Sequence, residues 1–321
     1  MTESLELQGT IPETAAGTRL DRALADLFPD YSRSRLQQWL KEGAVTVDGQ
    51  ARRGRDRISG GEQVRVSATP APEFQDLAPE PISLDVVYED EDLLVVNKPA
   101  GLVVHPGAGN ADGTMQNALL HRHPHLERIP RCGIVHRIDK GTTGLMVVAL
   151  SDKAHTALTN QLQDKTVGRE YEALVAGTFT AGGTINEPIA RHPRDRKRMA
   201  VVANGRPAVT HYRLLERFSA HTLLRVFLET GRTHQIRVHM AYSQHPLVGD
   251  PVYGLRPRLP RGADDTVREA LAGLGRQALH AAKLVLQHPR TEERMAWEVP
   301  RPADMDHVLD VLRAHDERMT Q

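Results

Sequence analysis

The chain has 321 residues, 40% of them apolar and 26% charged, with 41 basic and 41 acidic side chains in balance. That is the composition of an ordinary globular protein, long enough for two domains and a sizeable core. No apolar run approaches the ~20 residues that cross a bilayer, the first residues carry no secretory pattern, and a single cysteine, Cys132, excludes an intramolecular disulfide; a cytoplasmic, reducing location is expected.

Residues 1–17 read as a flexible tail. Leu20, Leu24, Leu27 and Phe28 then recur at helical spacing until Pro29 breaks the pattern. Ser32 can cap a second helix that carries Leu36, Trp39 and Leu40 and stops at Gly43. Val45-Thr46-Val47 predicts a short strand, Asp48-Gly49 a hairpin turn, and Gln63 to Val66 an alternating strand. Residues 18–68 are thus expected to form a small module, in which Arg19, Arg22, Arg33, Arg35, Arg52 and Arg53 supply cations. Pro70, Pro72, Pro79 and Pro81 make residues 69–84 a semi-rigid linker.

A larger domain is expected over residues 85–305. Its strand-like segments are Leu93 to Val96, Leu145 to Leu150, Tyr171 to Val175, Met199 to Ala203, Leu223 to Glu229 and His280 to Leu286. Helical patterns are fewer: Ser151 to Lys165, and Thr233 to Tyr242 with Thr233 as its cap. Strands that outnumber helices without strict alternation predict an α+β fold with a mixed, mainly antiparallel sheet. Leu255 to Gln277 reads as an insertion with a short helix, and residues 306–321 as a C-terminal amphipathic helix and tail.

The zero net charge hides segregation. Arg191 to Arg217 holds eight cations, including Arg191, Arg194, Arg196, Lys197 and Arg198, against two anions. Glu73 to Asp92 holds eight anions and no cation. A local basic face can bind phosphate whatever the total charge.

Four segments could carry chemistry. In Gly133-Ile134-Val135-His136-Arg137-Ile138-Asp139-Lys140-Gly141-Thr142-Thr143-Gly144-Leu145, a carboxylate sits between two cations where two apolar runs, read as strands, meet at a turn. Asn97-Lys98-Pro99-Ala100-Gly101 is a turn whose Pro and Gly fix the backbone. Gly168-Arg169-Glu170-Tyr171-Glu172 opens a strand with an aromatic phenol. Glu229-Thr230-Gly231-Arg232-Thr233-His234-Gln235-Ile236-Arg237 leads into a helix with Arg237 in an apolar setting. On spacing alone each has a plain reading too: Asp139 as a turn residue, Tyr171 as packing, Arg237 as a surface cation. His121, His123 and His125 alternate, but Pro124 interrupts them and no further ligand completes a set, so no metal and no cofactor are expected. Cys132 has no recognisable triad partner and is expected to be buried and inert.

Together these four segments resemble the motifs of the RluA-type pseudouridine synthases, and the 18–68 module, with its Arg-Leu-Asp-Arg start at Arg19, resembles an S4 RNA-binding domain. Ile138 and Gly141 stand where that family often shows Leu and a polar residue. The resemblance implies isomerisation of uridine in RNA, with Asp139 as the catalytic carboxylate and Arg237 as its countercharge. It implies further that Tyr171 lies against the uracil and can move a proton, with Ile236 packing beneath the base and Arg137 and His136 contacting substrate. The stretch from Arg191 to Arg213 and from Leu228 to Pro251 is similar to the branch acting on large-subunit ribosomal RNA. That implies 23S rRNA or a precursor of the large ribosomal subunit as partner, the helix 69 stem-loop as target, no membrane partner and a monomeric enzyme. The same chemistry on another rRNA or tRNA site, a non-catalytic S4-type RNA-binding protein and a metal-independent glycosylase remain open on sequence grounds.

Overall fold

A computed structural model of the chain describes residues 5–28, 31, 33–68, 77–107, 110–195, 198–254 and 258–320. The chain divides into two compact units, residues 1–77 and 78–321.

In the first unit, strand β1 (Leu5–Thr10) precedes helices α1 (Leu20–Leu27) and α2 (Arg33–Lys41), then strands β2 (Val45–Val47), β3 (Gln50–Ala51) and β4 (Gln63–Ala68). The sheet order is β1-β4-β2-β3. The segment expected to be a flexible tail is therefore an edge strand, paired antiparallel with β4 from Leu5 opposite Ala68 to Thr10 opposite Gln63. Its polar, acidic letters concealed this because only alternate residues turn inward (Leu5 and Leu7 pack on the core). Asp48 and Gly49 both take left-handed φ, 51° and 76°, as the two-residue hairpin between β2 and β3 requires. Leu20, Leu24, Leu36, Trp39, Val45, Val64 and Val66 form the core. Ser32 lies outside the described residues.

The second unit begins with an ordered segment. Of the expected linker, residues 69–76 lie outside the described residues, but Ala78 accepts a hydrogen bond from the Asn117 side chain and Glu80 one from the Gly113 amide. The regular elements follow as β5 (Val86–Glu89), β6 (Leu93–Lys98), α3 (Met115–Arg122), β7 (Thr143–Ala149), α4 (Asp152–Gln163) and β8 (Gly168–Ala176). After them come β9 (Gly183–Asn186), β10 (Ile189–Arg191), β11 (Met199–Val201), β12 (Val209–Arg217), β13 (His221–Leu228) and α5 (Gln235–Tyr242). The chain closes with α6 (Asp265–Gly273), β14 (Leu279–Gln287), β15 (Arg294–Glu298) and α7 (Ala303–Thr320).

A nine-stranded sheet in the order β5-β6-β7-β14-β8-β13-β12-β9 organises this unit, with β15 also paired to β14. Every pairing in it is antiparallel except β7 with β14. The fold is thus α+β with a mixed, mainly antiparallel sheet. One core cluster joins β6, β7, α4 and β14 through Leu93, Val147, Leu158 and Leu284. A second joins β13 to α6 and α7 through Leu223, Leu271, Met305 and Leu309. The C-terminal helix therefore starts earlier than residue 306 and is a core element. The β7 strand is buried at all seven positions, so its apolar run carries no alternation.

At the parallel pairing, Gly144 lies opposite Ala281. Gly144 has φ 108°, and a Cβ there would overlap the Ala281 carbonyl. Gly144→Ala is expected to lower stability by more than about 2 kcal/mol in urea unfolding. Gly101→Ala, at φ 86° with open space around it, should cost only about 1–2 kcal/mol.

Candidate active site

The segment from Ile134 to Thr142 leads into β7, and it is not the strand that its apolar residues suggested: Ile134 makes one bridge to Val148 and the rest is irregular. The chain reaches it through three consecutive left-handed residues, Arg131, Cys132 and Gly133 (φ 54°, 51° and 77°). Cys132 is buried there, beside the Gln116 amide. The loop is then fastened from several sides. The Val147 amide donates to His136 Nε2 at 3.1 Å, and Thr142 N–H returns to the Asp139 carbonyl at 3.0 Å. The Lys140 carbonyl accepts from the Gly101 amide at 2.8 Å and from Lys98 Nζ at 3.2 Å. On the other side Arg276 donates to the Gly141 carbonyl and Gln277 Nε2 to Thr142 Oγ1.

Lys98 is 1% exposed, and its ammonium also donates to the Pro99 and Leu102 carbonyls. Burial pulls its pKa down to about 8, with the Asp139 charge opposing and Arg276 assisting. The Lys98–Gly101 turn thus holds the Asp139 loop in place.

The second half of the site is α5 and its approach. Thr233 does not cap this helix; His234 occupies the cap position with left-handed φ 57° and no side-chain cap bond. Gln235 fixes the turn instead. Its Oε1 accepts from Thr230 Oγ1 and the Arg232 amide, and its Nε2 donates to the Val209 carbonyl and Thr210 Oγ1.

This arrangement presents Arg237, with a side chain 5% exposed, to Asp139: Nη1 donates to Oδ2 at 2.9 Å. The same guanidinium is held bidentate by Asp250, Nε to Oδ2 at 2.7 Å and Nη2 to Oδ1 at 2.9 Å. Asp250 is closed in turn by the Val252 and Tyr253 amides. Burial opposes charge on both Arg237 and Asp250 and is the largest single effect, but the hydrogen bonds and charges of their partners together outweigh it (Asp250 and Asp139 for Arg237; Arg237 and the Val252 and Tyr253 amides for Asp250), so the Arg237 pKa is raised and that of Asp250 lowered. Asp250 was not among the expected site residues; a lone acid in a Gly/Pro turn gives no signal until its cation is known.

His234 is the other residue that sequence missed. Its Nε2 stands 3.9 Å from Asp139 Oδ1, and its Nδ1 is 2.8 Å from the Tyr253 hydroxyl. That hydroxyl already accepts the Met199 amide at 2.8 Å, so its proton is free to point at Nδ1, which leaves Nε2–H facing Asp139. Burial lowers the His234 pKa against the opposing pull of Asp139.

A small cleft opens over these groups. Asp139, Tyr171, Ile236 and Arg237 line it, joined by Ile138 and Leu279, with exposed Arg137 and half-buried Arg232 at the rim. Three distant stretches of chain thus converge as expected. Tyr171 is 5% exposed, and burial raises its phenol pKa, which keeps it protonated. Ile236 is 4% exposed. His136 does not line the cleft, a correction to its expected contact with substrate: its ring turns onto the β7 backbone, and burial lowers its pKa to about 3.

The expected RNA-binding cations fall into different states. Arg191 and Arg194 are exposed at the β10–β11 hairpin, whereas Arg198 is half-buried over the Tyr253 ring at 5.4 Å. Arg22 and Arg53 are exposed; Arg52 lies 3.8 Å from Glu62. Arg19 is bound bidentate to buried Asp21 at 3.0 Å, which makes it a structural partner as well as a surface cation. Arg196 and Lys197, and the side chains of Arg33 and Arg35, lie outside what is described.

The chain is similar to known proteins over most of its length. Residues 92–242 match the family described as RNA pseudouridylate synthase, and residues 18–64 match the S4 domain. A ribosomal large subunit pseudouridine synthase D from Escherichia coli O6:H1 is 54% identical over 99% of this chain and 97% of its own length. The protein of the same name from Xanthomonas campestris is 52% identical over 98% of this chain and 95% of its own. Among solved structures, human RNA pseudouridylate synthase domain containing 4 superposes with TM-score 0.56 and 26% identity, covering 71% of this chain and 92% of that one.

Removing Asp250 would leave Arg237 buried with half its partners. Asp250→Ala is therefore expected to cost about 3–5 kcal/mol in urea unfolding, while Asp250→Asn keeps the shape and loses part of that. His136 gives a pH dependence. Between its ordinary value of 6.5 and about 3, the unfolded chain binds a proton that the folded ring refuses. Stability should fall by roughly 2 kcal/mol from this group between pH 7 and pH 5. Denaturation of His136→Gln at the two pH values should show a correspondingly smaller loss.

Proposed function

The chain belongs to the RluA-type RNA pseudouridylate synthase family and is an RNA pseudouridine synthase with an S4 domain, and on that premise we propose that it isomerises uridines of 23S rRNA in the helix 69 stem-loop. The observation that carries the site assignment is the Asp139–Arg237 ion pair at 2.9 Å inside the cleft. The choice of ribosomal RNA rests on the names of its more than 50%-identical relatives. The substrate is naked 23S rRNA or a precursor of the large subunit, and the enzyme works as a monomer in the cytoplasm; among the described residues no helix is long and apolar enough to cross a membrane.

In this reading the target uridine leaves its stack and enters the cleft, at a cost of a few kcal/mol that the bound state must offset. Tyr171 and Ile236 take the base between them. Arg137, at the rim, fills the vacated space or grips a phosphate. Arg237 pairs with Asp139 and supplies the countercharge its carboxylate needs in the cleft. Asp139 then attacks the ribose or the uracil, or removes a ribose proton; the N1–C1′ bond breaks and C5 joins C1′. The exposed cations Arg191, Arg194, Arg22 and Arg53, with Arg19, Arg33, Arg35, Arg52, Arg196, Lys197 and Arg198, bind backbone phosphates.

The test is mapping of pseudouridines in rRNA from a strain lacking the gene, complemented by the native enzyme or by Asp139→Ala. Helix 69 uridines should stay unmodified in the deletion and with Asp139→Ala, and regain pseudouridine with the native chain. Loss of modification elsewhere would move the target. Purified Asp139→Ala should bind 23S transcripts within about threefold of native affinity and make no pseudouridine.

A further inference from the structure

Arg169 is a buried cation in the cleft with no anion of its own. Its side chain is only 9% exposed, and its Nε is fully covered without a hydrogen-bond partner. Among the described residues no carboxylate lies within ion-pair distance of it; Asp139, the one acid lining the cleft, pairs with Arg237. The alternation of β8 explains how this comes about. Glu170 and Glu172 turn to the opposite face, where they meet Arg225, and Glu172 also meets Arg301. Arg169 and Tyr171 turn inward together. Gly231 completes the arrangement: a Cβ there would stand 2.8 Å from Arg169 Nη1, so the absent side chain leaves room for the guanidinium.

A cation buried without a partner is held in place by the fold for something that arrives later. Two residues along a strand place it ~6.6 Å from Tyr171, alongside the ring against which the base is proposed to lie. Exposed Arg137 and half-buried Arg232 already occupy the rim, within reach of the phosphates of a bound RNA strand. The buried position faces the base.

We propose that Arg169 binds the carbonyl edge of the flipped uracil and holds the negative charge that the ring acquires when it parts from the ribose. This rests on the cleft being the active site. In the step concerned, the N1–C1′ bond breaks and its electron pair passes to the uracil, spreading from N1 onto O2 and O4. The guanidinium donates hydrogen bonds to a carbonyl oxygen and keeps all its protons. When C5 bonds to C1′, the C5 proton departs and N1 takes one up, so the product is an isomer. A neutral carbonyl accepts such bonds weakly and an anion strongly, so the interaction tightens as the bond breaks and accelerates that step.

The experiment uses the full-length enzyme with unmodified 23S transcript, comparing native protein, Arg169→Met, Arg169→Lys and Asp139→Ala. Single-turnover rate at saturating enzyme, dissociation constant and melting temperature are measured for each. Arg169→Met is expected to lose 10²–10³-fold in rate with less than threefold change in affinity and no fall in melting temperature, and Arg169→Lys to recover part of the rate. A normal saturating rate with weakened binding and a salt dependence shallower by about one unit marks a phosphate ligand and overturns the proposal. So does a rate loss in both variants that only follows a fall in melting temperature. If Asp139→Ala is active, the assignment of the cleft itself fails; if only the Arg169 variants are fully active, this inference fails alone.

Discussion

The second unit is built around one buried guanidinium. Arg237 stands between two carboxylates, Asp250 behind it and Asp139 in front, at 2.7–2.9 Å. The three groups carry a net single negative charge, which belongs to the side facing the cleft. Asp250 is the anchor: it is fully buried and accepts two backbone amides as well as the bidentate fork. With the cation fixed from behind, its remaining N–H is directed at Asp139. The Asp139 carboxylate is then paired without being free to wander.

Holding the acid still is the other half of the design. Few of the groups that fasten the Asp139 loop touch the cleft. Lys98 and Gly101 grip it at one side, Arg276 and Gln277 at the other, and His136 pins its entry to β7. Most of these bonds end on backbone atoms, so they set the course of the chain and leave the Asp139 side chain to Arg237. Lys98 shows how far the fold goes: an ammonium is buried, at the expense of its own basicity, to tie three carbonyls of two neighbouring turns.

Much of this was legible in the residues, and the exceptions share a cause. Asp139, Tyr171, Ile236 and Arg237 stood out because local motifs carry them, and the main strands because their apolar runs are long. What sequence hid was geometry that depends on a partner far along the chain. Asp250 gains meaning only from Arg237. His234 looked like one more polar residue in the first turn of a helix, yet its left-handed backbone sets its ring between Tyr253 and Asp139. The family resemblance implied a substrate contact for His136, but its ring accepts from a strand amide. Leu5–Thr10 read as a tail because a half-buried edge strand needs only a few apolar letters. The Ile134–Ile138 run read as a strand, although it makes a single isolated bridge, Ile134 with Val148, and a turn bond from the Ile134 amide to Arg131.

The parallel pairing within the nine-stranded sheet, β7 against β14, has a bearing on how the protein is made. Two strands running the same way bring their preceding loops to one end of the sheet, and here those loops are 135 residues apart in the chain. Contacts of such separation close late, since the loss of chain freedom precedes their reward. A nascent polypeptide released only as far as α5 already contains the acid, its cation and the tyrosine, but lacks the strand that braces the loop. Bracing of the Asp139 loop is thereby deferred until β14 has been synthesised and docked.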